Sequence, residues 1–519
     1  MDYNINVQSH CMTYTAVLIF PNQLFENIEP IVQIPKPNKN PVYFLIEHPL
    51  FFSDKERIKT FNGLKLLMHR ASMKMYADYL MKKGLTVQYI DFKKAEATLR
   101  SIAKEAEHML YYDVVDHLLQ TRLDTVAAKK TATILQTPAF LCSPDDLDDF
   151  LATRAKVKRK YFQTDFYRWQ RIRLNILMDK NGDFEGGKLS FDQENRQGVP
   201  KSGFPELKYH TTKTNAYIAE AQSYVRSTFP DHLGNTENFA HIAFSFEDAR
   251  QKLRSFLENR LVQFGNFEDA IDKSNPFLYH SMLSPALNIG IITPEEVVVE
   301  ALDYYERNRS HIKINEIEGF IRQIIGWREY YRMVYLNLYD DLKTQNLLQH
   351  TQTLSSAWYT GNTGIEPVDA NIQIAFQYGY LHHIIRLMVV GQFMLLCSIH
   401  PDEMYRWFME FAIDSYDWVM VPNIYGMVGY NDGGATTTKP YISSSNYILK
   451  MSNFKADHEW DLIWKSLYYR FIHKHQSILK KNPRTSRMVW QLNKMKTAEF
   501  NKLMDVADQF LDTINTKQQ

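Results

Sequence analysis

Cysteine is scarce: 519 residues hold three, Cys11, Cys142 and Cys397. Three thiols cannot close an even disulfide framework, no pair has metal-ligand spacing, and a four-thiolate cluster is excluded outright. Net charge is nearly absent too. Sixty Lys+Arg oppose 59 Asp+Glu, so no global basic field draws the chain onto nucleic acid and any such surface must be local. Long apolar runs are missing: residues 387–397 are interrupted by Gly391 and Gln392 and fall short of the ~18–20 residues of a membrane helix. No basic-then-apolar leader opens the chain, so the expectation is a cytoplasmic protein in a reducing compartment that makes no membrane contact and acts as a monomer. The first strand is followed by neither a G-x-G-x-x-G nor a G-x-x-x-x-G-K-[ST] sequence, which removes the usual dinucleotide and nucleoside-triphosphate fingerprints.

Aromatic residues are plentiful, with 31 Phe, 31 Tyr and 8 Trp. A large core uses some of them; so many Tyr and Trp also suit stacking surfaces or an electron-carrying site. Hydrophobic residues at 45% and charged residues at 23% are the balance of a globular chain, and its length calls for more than one domain.

Residues 1–150 alternate β-branched or aromatic runs (14–20, 42–47, 85–92, 109–115, 132–141) with amphipathic stretches such as 63–83, which predicts a parallel, Rossmann-like α/β sheet with helices on both faces. Residues 151–235 change character. The 154–173 stretch holds eight Lys or Arg interleaved with aromatics, and a turn-rich, polar passage follows; this reads as a connector between domains, its basic run either a DNA-facing patch or a solvated helix face. Across 236–519 a 3.6-residue period dominates (246–263, 294–308, 314–340, 370–399, 401–418, 460–480), which predicts a large all-helical domain.

Several clusters in the helical half are too polar for simple core. Ser281 and Ser284 stand just before Pro285, where a helix start offers either an anion cradle suited to pyrophosphate or an ordinary N-cap. Trp327, Arg328, Tyr330 and Tyr331 share one helix, which can stack a flat ligand or be a core helix with a basic edge. His382, His383 and Arg386 fall on one mostly buried helix. A buried Arg demands a carboxylate, and Asp414 is offered 28 residues on. Adjacent histidines point apart, so a shared metal is disfavoured, while one facing a cavity could donate a proton.

These stretches, with others, carry a resemblance. GGKLSFDQENR (186–196), HSMLS (280–284), EGFIRQIIGWRE (318–329), WYTG (358–361), HHIIRLMV (382–389), DSYDW (414–418), KPY (439–441) and MSN (451–453) run in family order. Together they resemble the photolyase/cryptochrome superfamily, in the photolyase-related branch of iron–sulfur bacterial cryptochromes and (6-4) photolyases. The resemblance implies an α/β antenna-type domain joined to a helical domain that binds a bent FAD. It implies repair of UV-damaged DNA, preferring (6-4) photoproducts, by light-driven electron transfer from reduced flavin; a blue-light photoreceptor with little repair is the alternative.

In that pattern Ser281, Leu283 and Ser284 belong to the flavin phosphate loop, Arg386 and Asp414 face the flavin ring, and Trp327 and Arg328 line the pocket with Asn423. His383 is the proton donor at the lesion, with Tyr441 nearby. Trp407, Tyr359 and Phe408 match the electron relay. Lys439, Arg332, Arg322 and the 154–173 stretch are candidates for DNA phosphates. Glu47, in FLIEHPLFF (44–52), matches the acid that contacts a lumazine antenna.

Departures are also legible. Pro367 stands where the branch has its first cluster cysteine and 454–468 contains no cysteine, so no [4Fe–4S] cluster is expected. Met420 replaces a glutamate near flavin N5, and a thioether cannot give a proton. Tyr359 replaces a relay tryptophan, and Phe408 a tyrosine.

Overall fold

The computed structural model describes residues 14–34, 41–127, 131–157, 161–456 and 459–516; Cys11 and the basic residues 158–160 lie outside them. Five parallel strands form one sheet: β1 (Thr15–Ile19), β2 (Pro41–Ile46), β3 (Thr86–Ile90), β4 (His108–Tyr112) and β5 (Thr131–Leu135), in the order β3-β2-β1-β4-β5. Val17 pairs with Tyr43 on one side and Leu110 on the other. All of β1 and most of β2 and β4 are buried, as expected of a parallel sheet covered on both faces. The fifth strand ends earlier than its apolar run suggests, ahead of Pro138, which has no N–H to give a ladder.

Gly63–Lys82 is the long helix of this unit, capped by the Asn62 side chain accepting from Leu64 N at 2.9 Å. Gly63 is required by close approach, since a Cβ there would lie 2.7 Å from the His232 ring.

The 151–235 connector is built into both halves rather than strung between them. Gln163–Leu174 packs on the helical half, where Tyr167 donates to Glu318 Oε1 at 2.7 Å, and Ala216–Thr228 packs on Gly63–Lys82. Three arginines of its basic run are engaged internally: Arg171 is fully buried and donates to the carbonyls of Ile176 and Leu189, Arg173 pairs with Asp146 at 3.1 Å, and Arg154 pairs with Asp165, while Lys156 and Arg168 stay exposed. These three arginines hold the connector in place and are not a DNA-facing patch.

Arg332 and Arg322 likewise leave the list of phosphate contacts. Arg332 is buried between the two halves, donating to Cys142 O at 2.6 Å and pairing with Asp113 at 2.9 Å. Arg322 is buried among Glu318, Asp192 and Glu268 at 3.2, 3.4 and 3.5 Å. Glu329 adds to the seam by accepting from the amides of Leu141 and Cys142, each at 3.0 Å. Buried charges of this kind are tolerated only when paired and hydrogen-bonded.

The helical half departs from the continuous periods in the sequence. The 370–399 span is two helices separated at Gly379, whose φ of 61° ends Glu366–Tyr378. His382 therefore precedes the second helix instead of lying on it, and His383 is its first residue. The 401–418 span breaks after Pro401–Phe411 and resumes at Asp417–Val421. The break places Asp414 in a loop that faces Arg386.

Candidate functional site

One deep cavity opens in the helical half, enclosing about 1340 Å³ of space with its mouth included. Three of its walls are π-helical turns of seven residues: Arg322–Arg328, Ile385–Gly391 and Pro422–Val428. Such turns widen a helix by one residue, re-aim its side chains, and recur at functional sites. Trp327 and Arg328 come from the first, Arg386 and Leu387 from the second, and Asn423, Ile424 and Val428 from the third. Each turn carries a glycine. A Cβ on Gly391 would lie 2.6 Å from the Arg386 carbonyl, and on Gly326 3.1 Å from the Tyr167 ring.

The fourth wall is the loop containing Ser281, Leu283 and Ser284, bent sharply enough that Met282 adopts φ 60° and Leu278 φ 42°. Left-handed, non-glycine backbone of this kind costs free energy and concentrates at ligand sites. Ser284 donates its hydroxyl to Asp414 Oδ2 at 2.6 Å, and Ser281 Oγ accepts from Leu283 N at 3.4 Å.

Arg386 and Asp414 meet as expected. Nη1 stands 2.8 Å from Oδ1, Nη2 donates to Oδ2 at 3.1 Å, and Nε donates to Leu381 O. Behind them Lys65, fully buried, donates to Ser415 O; burial first, then the charge of Arg57, pushes its pKa down to about 7. Arg328 is held by Asn288 Oδ1 at 2.5 Å and packs 4.8 Å from the rings of both Phe140 and Trp418. Burial lowers its pKa to about 10.

His383 opens onto the cavity and is reached by water there. Protein still surrounds it closely enough that desolvation, followed by the nearby Arg386 charge, lowers its pKa to about 4. Its neighbour His382 turns the other way and stacks on His280, ring centres 4.4 Å apart. Sequence reasoning missed this stacked pair, and it missed Asn288, Phe140 and Trp418, whose side chains gather around Arg328.

Tyr441 does not line the cavity. It sits one layer out, within electrostatic range of Tyr330 and Tyr331, and Tyr331 is itself in the wall. Trp407 and Tyr359 are also outside the cavity. Phe408 lines it, Trp407 lies 5.1 Å from Phe408 and 4.4 Å from Phe411, and Phe376 bridges Trp407 to Tyr359 at 6.0 and 6.1 Å. An unbroken line of rings thus leads from the cavity toward the surface. Met420 is buried in the cavity wall.

The residues present fit FAD. The cavity combines hydroxyls at one end, an internal ion pair at the other and apolar walls between. His280 Nε2 is buried in those walls without a hydrogen-bond partner, which suits a polar ligand.

Glu47 does not fit its expected role. It is wholly buried, and both oxygens are already used: Oε1 accepts from Arg70 at 2.8 Å and Tyr89 at 2.6 Å, Oε2 from Phe92 N at 2.8 Å and Tyr224 at 2.9 Å. The Arg70 guanidinium covers the Tyr224 ring at 3.7 Å. The carboxylate is the hub of an internal network and presents no oxygen to an antenna.

No helix among the described residues is long and apolar enough to cross a membrane, and no group of three or more His, Cys, Asp or Glu among them could hold a metal ion.

Comparison with known proteins places this geometry in a lineage. The family described as deoxyribodipyrimidine photo-lyase-related protein matches residues 17–241, and the FAD binding domain of DNA photolyase matches residues 320–460. A (6-4) photolyase of Agrobacterium fabrum is 34% identical over 358 residues, 66% of this chain and 68% of that protein. An uncharacterized protein of Acanthamoeba polyphaga mimivirus is 55% identical over 93 residues, 18% of this chain and 76% of its own length. Among solved structures, a bacterial class III photolyase from Agrobacterium tumefaciens aligns with a TM-score of 0.54 at 18% identity, and a Synechocystis cryptochrome with a TM-score of 0.60 at 16% identity. Each alignment covers 99% of this chain and 100% of the other.

Proposed function

Because the chain belongs to the photolyase/cryptochrome superfamily, in its photolyase-related branch, we propose that it is a DNA photolyase that repairs (6-4) pyrimidine photoproducts in UV-damaged DNA. The observation that carries this reading is His383 at the cavity wall beside the Arg386–Asp414 pair. Reduced FAD bound in the cavity supplies the light-driven electron; the protein supplies position, exclusion of water and a proton.

Arg386 and Asp414 orient the ring system, and Ser284 fixes the carboxylate through its hydrogen bond to Oδ2. Ser281, Leu283 and Asn423 border the remainder of the ligand, and Trp327 and Arg328 give it a flat aromatic and cationic edge. Leu387, Phe408 and Met420 keep water away. A lesion turned out of the duplex, which costs a few kcal/mol and is cheapest at a damaged pair, meets His383 at the cavity wall, where the imidazole passes a ring-nitrogen proton to the group being transferred. Tyr441 stands one layer behind the wall, near Tyr331, on the loop that carries Lys439. Trp407 and Tyr359, behind Phe408, refill the electron supply.

The protein works without an iron–sulfur cluster. In support, its cysteines are too few, and Trp460 and Trp464 are buried where cluster thiolates are expected. Trp464 packs 4.9 Å from Phe393 and donates to Ser443 O at 3.0 Å. It also works without a lumazine at Glu47, whose oxygens are occupied.

A signalling photoreceptor is the second reading, and one observation favours it: Met420 and Phe408, neither able to exchange a proton, both face the cavity. Illuminating defined duplexes bearing one (6-4) or one cyclobutane lesion, and resolving the products chromatographically, separates the two. The proposal expects restored bases from the (6-4) duplex in light only; unaltered lesions with reduced flavin in place support the photoreceptor.

A further inference from the structure

With 60 basic and 59 acidic residues and Arg171, Arg322 and Arg332 buried, the DNA reading calls for a further phosphate-binding surface. The C-terminal helices contain one. Between residues 480 and 498 there are six basic side chains, Lys480, Lys481, Arg484, Arg487, Lys494 and Lys496, and no acidic one. All six are exposed, and none forms an ion pair with a described residue; the next acid, Glu499, pairs with Lys465 at 3.6 Å.

The helix Pro483–Asn493 sorts its residues by face. Thr485, Val489 and Leu492, spaced i, i+4, i+7, are buried. Arg484, Arg487, Trp490 and Lys494, spaced i, i+3, i+6, i+10, fall on the opposite side. Trp490 is 55% exposed, and Lys494 Nζ stands 3.8 Å from its ring centre. An exposed tryptophan inside a stripe of unpaired cations is an unusual expense for a surface that meets only water.

This stripe is fastened to a loop that lies one layer behind the cavity wall. Asn482 donates to Thr438 O at 2.8 Å and Arg484 to Thr438 Oγ1 at 2.6 Å, which fastens the helix start to the loop bearing Lys439 and Tyr441. Lys439 feels the charges of Arg484 and Arg196, and Tyr441 those of Asp192, then Arg196 and Arg484, then Asp269. Tyr441 in turn adjoins Tyr331 in the cavity wall.

We propose that the helix Pro483–Asn493, with Lys480 and Lys481, is a DNA-binding element that tracks the phosphates of the duplex flanking an extruded lesion. Trp490 lays its ring against the sugar–phosphate backbone between the cations. This rests on the photolyase reading. A continuous cationic stripe without acidic partners among the described residues, fastened to the Thr438–Tyr441 loop near the cavity, matches a polyanion, and contacts of this type bind without regard to sequence.

The test uses the full-length flavoprotein and fluorescence-labelled duplexes, with and without a (6-4) lesion, titrated across a range of salt. In the variant Lys481→Ala/Arg487→Ala/Lys494→Ala the slope of log affinity against log salt should fall by about 2–3, since each phosphate contact contributes about 0.9. Affinity for both duplexes should drop at least tenfold at low salt, and FAD content should stay unchanged. Trp490→Ala should weaken binding without changing the salt slope. Wild-type affinity and slope in the triple variant would overturn the proposal while leaving the photolyase reading intact. Failure of the wild-type flavoprotein to bind either duplex would overturn both.

Discussion

The Tyr359 hydroxyl donates to Glu410 Oε2 at 2.8 Å. Glu410 is largely buried, and desolvation raises its pKa; Tyr359 is pushed up as well, by burial and then by the Glu410 charge. A phenol that loses an electron must shed its proton, and the carboxylate beside it is placed to receive it. Glu410→Gln should therefore slow light-driven flavin reduction several-fold and Tyr359→Phe should slow it at least as much, both with normal FAD content. Transient absorption checks this. Wild-type reduction rates in both variants would remove Tyr359 from the relay.

Arg386→Ala leaves Asp414 buried without its cation, a change that costs about 3–5 kcal/mol. The variant should lose FAD on purification and melt several degrees lower, whereas Arg386→Lys should keep part of both. Flavin content by absorbance and thermal unfolding together decide. Full FAD content in Arg386→Ala would show that the pair does not hold the ligand.

The depressed pKa of His383, about 4, gives repair a direction in pH. A group that donates as imidazolium is more fully protonated as pH falls, so single-turnover repair should quicken from pH 8 toward pH 5, and His383→Asn should be slow and flat. An anionic ligand beside the ring raises the pKa and moves the rise toward neutrality. A wild-type profile as flat as that of His383→Asn would remove the proton-donor role.

Gly391→Ala places a Cβ where the Arg386 carbonyl already lies, at 2.6 Å. The π-helical wall must shift, at a cost of about 1–3 kcal/mol, and Arg386 shifts with it. Reduced FAD affinity with secondary structure preserved is the expected result, read by flavin release and circular dichroism.

Removing the Glu47 carboxylate takes a buried acceptor from Tyr89 and Tyr224 and leaves Arg70 to Asp91 and Glu220. Glu47→Ala should destabilise the α/β unit by about 1–3 kcal/mol and leave the chromophore spectrum unchanged. A lumazine absorption band that disappears in the variant would restore the antenna role.

All five strands, the helix Gly63–Lys82 and the helical half were legible in the sequence because β-branched runs and 3.6-residue spacing report burial directly. The Arg386–Asp414 pair was legible because a buried cation needs a carboxylate and few stood nearby in the chain. Orientation was not. Arg332 reads as a DNA contact until the fold brings Asp113, 219 residues away, to 2.9 Å; Glu47 reads as a ligand-facing acid until Tyr224, 177 residues away, closes over it. The π-helical walls were hidden as well, since a one-residue insertion breaks the period it belongs to. Gly326, Gly391 and Gly426, one in each wall, were the available signal.

The account depends most on the cavity holding FAD. Releasing the flavin from purified, denatured protein and quantifying it together with iron tests this directly. About one FAD per chain with no stoichiometric iron is the expected result; folded, colourless protein that takes up no added FAD would contradict it.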